Sequence, residues 1–311
     1  MLKGFLETSS PLAKILFSLF IAFAGFIFML VIAIIIAIPV FHADVSQIFN
    51  ASSDLSNAKN IIIIKYLQLF YSIGLFVIPP FVLAWIFQGN AFEYLKLNRK
   101  SGSKNIIIVI LLIICCVPIT NLITEFNARM QLPSVFYNIE HWMKESENQA
   151  GKIIEAFLRV NTPMGLIVNL FIIGLVPALG EELLFRGILQ RLFSDALKNI
   201  HLGILITSIL FSAMHVQFYG FIPRMLLGMM FGYLLIWSDS LWLPILAHFI
   251  NNSMAILFDY FSKLHKVNPD LEQLGTTRGT LIFSIISAVL VFNLLLLFYR
   301  NNKKNLVITK N

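Results

Sequence analysis

Charge is scarce in this chain. Asp, Glu, Lys and Arg make up only 13% of its 311 residues against 58% hydrophobic ones, and the mean hydropathy of +0.82 lies far from that of soluble domains. A water-borne globule could not hide that much apolar surface. Cysteine is nearly absent too: Cys115 and Cys116 adjoin one another inside an apolar run, cannot staple distant segments, and read as helix-packing residues. No internal repeat or low-complexity tract is found, so a repeat-built transporter gains no support. The net charge is +7, yet the basic residues lie between apolar blocks or at the tail, without interleaved aromatics. Nucleic acid is therefore not an expected partner, and the lipid bilayer is.

What is present comes in apolar blocks of about 18 residues or more, each able to cross about 30 Å of hydrocarbon. Spans are expected at roughly residues 15–40, 61–87, 106–123, 164–189, 202–219, 221–237, 241–261 and 280–299, giving an all-α, polytopic bundle of about eight helices. The first run is too long for a signal peptide and reads as a retained span. Pro79 and Pro80 predict a kink in the second span, where Lys65 is expected to snorkel to the interface. The connection after it carries Lys96, Arg99, Lys100 and Lys104 against Glu93 alone, which places it in the cytoplasm. Both termini follow it there, with Lys3, Lys14, Arg300, Lys303, Lys304 and Lys310 in agreement. The expected home is the cytoplasmic membrane of a prokaryote. Residues 126–162 form a long extracytoplasmic loop in which 135–160 reads as an amphipathic helix on the surface. Three regions result: N-terminal helices 1–163, a core at 164–262, and a last span with a basic tail at 263–311.

Ionisable groups inside membrane helices are expensive and by default functional. Three clusters fall between residues 176 and 252. In the first, Glu182 and Arg186 stand four apart on one helical face and can pair, while Glu181 is turned about 100° away and left free. Desolvation among Leu, Ile and Phe suits Glu181 to general-base work near neutral pH. The second is His215, alone in an apolar helix; the third sets His248 and Asn252 on one face, a pair of donors of the kind that stabilise an oxyanion. Asn251 points elsewhere and reads as a packing residue. Each cluster could be structural taken singly: an ion pair, a lone hydrogen-bonded histidine, an interhelical polar contact. Together they compose a hydrolytic site in which Glu181, helped by His215, activates water while His248 and Asn252 hold the oxyanion. Simple helix counting puts Glu181 and His215 at different depths, and they meet only if the Glu181 helix runs on past Arg186 to about Leu197.

The order Glu181-Glu182-x-x-x-Arg186, Phe211-x-x-x-His215, His248-x-x-x-Asn252, with Gly232-Tyr233-Leu234 and the run from Ser238 to Trp242 before the last, resembles the CAAX protease and bacteriocin-processing (CPBP, or Abi) family. The resemblance covers about residues 176–253. It implies an intramembrane endopeptidase related to the eukaryotic prenyl-protein endoprotease, acting on a membrane-anchored protein or peptide. It also implies that Glu181 is the essential glutamate, His215 its water-binding partner, His248 and Asn252 the oxyanion pair, and Arg186 the group that orients Glu182. Members of the family are often labelled metalloproteases, and Glu181, His215 and His248 would be the zinc ligands. No His-Glu-x-x-His signature is present, and a mechanism without a cofactor is preferred. Two other classes are set against the protease: a non-catalytic scaffold or bacteriocin self-immunity protein binding a peptide in the same cavity, which should tolerate Glu181→Gln, and a proton-coupled transporter, which would need charged sites in the first half that are nearly missing there.

Overall fold

The computed structural model describes residues 4–268, 271 and 273–308, with no side-chain description for 304–308. Among them there is no strand. The principal helices are α1 (Pro11–Phe41), α2 (Ala58–Gln88), α3 (Ser103–Ala128), α4 (Tyr137–Leu158), α5 (Pro163–Leu197), α6 (Ile200–Ala213), α7 (Phe221–Ser238), α8 (Trp242–Lys263) and α9 (Leu281–Ile308). Six of them, α1, α2, α3, α5, α7 and α9, are long and apolar enough to cross a membrane. The chain is thus an all-helical, polytopic integral membrane protein. Six of the eight expected spans are found in this sense; α6, with only 14 residues, and α8, which carries polar groups of the site, fall short of it.

Local sequence chemistry sets the helix ends. Ser10 accepts from Ala13 N ahead of Pro11 to start α1, and Thr162 accepts from Gly165 N ahead of Pro163 to start α5. Asn199 caps the second and third amides of α6, at 2.9 and 3.1 Å. Gly89 closes α2 and Asp239 closes α7 in left-handed conformations, each returning its N–H to a carbonyl four residues back. Inside the long helices the ladder widens three times. At Ile73–Val77, Leu170–Leu175 and Leu183–Leu189 the backbone bonds reach five residues back, a local bulge that leaves nearby carbonyls free for side chains. The kink expected at Pro79-Pro80 takes this form: α2 is not broken, and the prolines follow directly on its wide turn.

Two ends of the bundle are defined by cross-chain bonds. At one, Lys96 and Arg99 grip Asp239, Trp242 Nε1 donates to the Leu97 carbonyl at 2.9 Å, and Asn105 pairs with Asn302. This basic end gathers the connection after α2, the start of α8 and the close of α9. Lys3 and Lys310, and the side chain of Lys304, lie outside the described residues. At the opposite end α4 packs against α2, α8 and the turn that follows α6. Its last turn is tied down by Lys65, which donates to the Phe157 carbonyl (2.8 Å) and to Asn169 Oδ1 (2.7 Å). Lys65 therefore does not snorkel: it is buried, because these two acceptors solvate the ammonium from within the protein.

The helix expected over 202–219 stops at Ala213. Residues 214–220 form a turn with Val216 at φ 53°, pinned by Asn127 at the end of α3, which donates to the Phe218 carbonyl and accepts from Ile222 N. Helix α5, by contrast, runs on to Leu197 as one 35-residue element.

Candidate active site

Glu181 and Glu182 are consecutive on α5, immediately before its second wide turn, so their carboxylates leave the helix in different directions. Glu182 is wholly buried, and its Oε1 accepts from Arg186 Nη1 at 2.9 Å and from His248 Nδ1 at 2.8 Å. A buried ion pair repays its desolvation only when further partners complete it. Arg186 Nη2 donates to the Gly228 carbonyl at 3.1 Å, and its guanidinium lies 4.5 Å from the Phe211 ring centre and 5.6 Å from that of Phe231. One turn on, Gln190 repeats the pattern on the Gly232 carbonyl. Both glycines are needed for this approach of α5 to α7, since a Cβ on Gly232 would stand 2.6 Å from Gln190 Oε1.

The pairing of Glu182 with Arg186 was legible from spacing; the third member, His248, was not. Its ring stacks on Phe231 (centroids 5.4 Å apart) and meets Phe211 edge-on. Because Glu182 takes Nδ1, the other nitrogen faces Glu181, with Nε2 3.8 Å from Oε2. That Oε2 is buried and, like the Oε2 of Glu182, has no hydrogen-bond partner among the described residues.

His215 follows the end of α6 and packs edge-on to the same Phe211 ring, centroids 5.2 Å apart. Its Nδ1 donates to the Phe211 carbonyl at 2.9 Å. A carbonyl can only accept, so the proton of the neutral ring sits on Nδ1 and Nε2 keeps its lone pair. Phe211 lies against Arg186, one turn beyond Glu182, and His215 is one turn from Phe211 in the opposite sense along the bundle. By that register His215 falls toward the glutamate turn of α5, within electrostatic reach of Arg186 and His248. Helix α5 is long and α6 short, which moves Glu181 and His215 toward a common depth.

Asn252 stands one turn from His248 on α8. Its Nδ2 donates to the Ile173 carbonyl at 3.3 Å, within the first wide turn of α5, and its Oδ1 accepts from Asn251 at 3.4 Å. Asn251 thus also touches the side chain of Asn252. Among the described residues no three His, Cys, Asp or Glu side chains gather in an arrangement able to hold a metal ion. The expected set Glu181, His215 and His248 is not such a group, although His248, with Nδ1 held by Glu182 and Nε2 facing Glu181, is oriented as a metal-bound imidazole would be.

Several site residues were not singled out in the sequence. Arg224, in the first turn of α7, is anchored by Gln217 Oε1 at 2.7 Å and lies within electrostatic reach of Glu181 and His215. The signal was there: a guanidinium inside a membrane helix is a functional candidate by default. Tyr71 on α2 also reaches the field of Glu181. From α4, Glu147 accepts from Tyr219 N at 3.2 Å and Trp142 packs on Phe218, so the amphipathic helix covers the turn that carries His215.

Residues 163–254, which hold every group just described on α5 to α8, match the family model for the type II CAAX prenyl endopeptidase Rce1-like domain. The chain carries a CAAX protease family domain. Among curated proteins, this domain's region is similar to the "Uncharacterized 24.3 kDa protein" of Escherichia coli, 36% identical over 96 residues, covering 30% of this chain and 44% of that protein. It is also similar to "Uncharacterized protein YpbD" of Bacillus subtilis (strain 168), 31% identical over 88 residues, covering 27% of this chain and 42% of that protein. The chain therefore spans less than half the length of these relatives. No solved structure matches it. The CAAX protease domain accounts for α5 to α8, and α1 to α4 and α9 lie outside the matched region.

Proposed function

We propose that this protein is an intramembrane endopeptidase that hydrolyses a peptide bond in a membrane-associated protein or peptide, of the CAAX or bacteriocin type, in a prokaryotic cytoplasmic membrane with both termini in the cytoplasm. The observation that carries the proposal is the Oε2 of Glu181, buried without a hydrogen bond beside His248 Nε2. An acceptor left bare in an apolar interior is costly, and a water molecule is the natural occupant.

In this reading Glu181 takes a proton from that water while the lone pair on His215 Nε2 accepts its other hydrogen bond. The hydroxyl oxygen attacks the carbonyl carbon of the scissile bond, and negative charge passes to the carbonyl oxygen. His248, protonated on both nitrogens, and the amide of Asn252 donate to that oxygen. Glu182 supplies the counter-charge to His248 and Arg186 holds Glu182 in place, so these two act as positioning residues. Collapse of the tetrahedral species breaks the C–N bond, and the proton held by Glu181 goes to the leaving amine. No step runs through a metal.

The test compares peptide termini in membranes from cells making the wild type or Glu181→Ala at matched abundance. Termini that vanish with Glu181 establish proteolysis and name substrates. Identical profiles, with the variant still rescuing a deletion phenotype, would make the protein a scaffold or immunity protein.

A further inference from the structure

A second cavity, of about 830 Å³, opens at the basic end of the bundle between the last turns of α5 and α7 and the close of α9. None of Glu181, His215, His248 or Asn252 lines it. Four cations do, Lys96, Arg186, Arg191 and Lys303, against one carboxylate, Asp195. Lys96 is occupied by Asp239 and Arg186 by Glu182, whereas Arg191 and Lys303 have no ion pair among the described residues. Arg191 lies with its guanidinium 4.2 Å from the Tyr94 ring centre, which engages its face and leaves the N–H edge for a ligand. Tyr94 is itself a donor: burial above all pushes its hydroxyl up to about 12, with Arg191 opposing and Asp195 adding to the shift, so it keeps its proton at neutral pH. The remaining wall is aromatic. Trp237 stacks on Tyr233 and meets Tyr299 edge-on, rings of the kind that sit at the level of lipid headgroups.

We infer that this cavity binds a phosphate group, carried by an acidic lipid or free in solution. Two uncommitted cations and phenolic donors suit an anion with several acceptor oxygens, and the volume exceeds what a lone carboxylate would need. The aromatic wall offers apolar surface to whatever the phosphate is attached to. The inference does not depend on the proposed hydrolysis: none of the reacting groups lines the cavity, and Arg186, which positions Glu182, is not one of its two uncommitted cations.

The experiment uses the purified full chain in detergent and counts retained lipid by native mass spectrometry, with phosphatidylglycerol, phosphatidylcholine and inorganic phosphate as probes. The wild type should retain phosphatidylglycerol in preference to phosphatidylcholine. The double variant Arg191→Gln, Lys303→Gln should lose about thirtyfold of that preference, and Asp195→Asn should gain about fivefold, since each interfacial charge contributes similarly. All three residues are exposed, so these changes leave no buried charge unpaired. If millimolar phosphate displaces the lipid from the wild type, free phosphate is a sufficient ligand; if it does not, the lipid's chains contribute. A phosphatidylglycerol preference that is the same in the wild type and the double variant, with no response to phosphate in either, overturns the inference.

Discussion

The rim and the centre of this bundle are held together by different chemistry. On α1, Leu16, Phe20, Phe23 and Phe28 are exposed, and on α9 Ile285, Val289 and Phe292 are. Along α5 every residue from Gly180 to Gln190 is buried, three ionisable groups included. In lipid an exposed Phe costs nothing, so apolar contact gives helices little reason to associate, and close approach and polar bonds must supply it. The rim uses close approach: a Cβ on Gly25 of α1 would collide with the Gly74 carbonyl oxygen of α2. The centre uses polar bonds, and the chain that joins Arg186, Glu182 and His248 spans two helices that apolar packing would not orient. The groups that hold the centre together also set the chemistry.

Glu181→Gln tests this contrast most sharply. It keeps shape and removes only the base, so product release in proteoliposomes should fall about a thousandfold while thermal stability is unchanged. Glu182→Ala should do the opposite. Stranding Arg186 and His248 without their carboxylate should cost about 3–5 kcal/mol of stability, read as a much lower melting midpoint of the purified protein. An unchanged midpoint would mean that the centre is not held as described. Asn252→Ala should lower kcat about a hundredfold with little change in KM, as expected for a donor used only in the transition state; a rise in KM alone would reassign Asn252 to substrate binding. At the rim, Phe292→Ala should change stability by less than about 0.5 kcal/mol and leave turnover intact. A large loss there would show that α9 faces protein rather than lipid.

How much of this was legible depended on distance along the chain. The pair Glu182 and Arg186 shares one helical face, and the spacing of His248 and Asn252 is equally local, so both could be read from four-residue intervals. Spans were visible because lipid crossing needs only length and apolarity. What failed was whatever rested on remote partners. The acceptors of Lys65 lie 92 and 104 residues away, which is why its burial looked like an interfacial position. The bond from His248 to Glu182 crosses 66 residues, and nothing in either segment announces it. The early stop of α6 was hidden for another reason. Residues 214–219 contain no glycine or proline, and the turn is held from outside by Asn127 and covered by α4. Arg224 is a different kind of omission, since the rule that found the glutamates applied equally to it.

The brevity of α6 has a consequence for solvent. Fourteen residues rise about 21 Å, roughly two thirds of a hydrocarbon core. The turn bearing His215 is consequently sunk below the level reached by its neighbours, with Glu147, Gln217 and Arg224 around it. The turn is therefore a polar patch set under α4 rather than an apolar helix end. For the proposed hydrolysis, these polar groups offer water a route to the site that avoids the hydrocarbon.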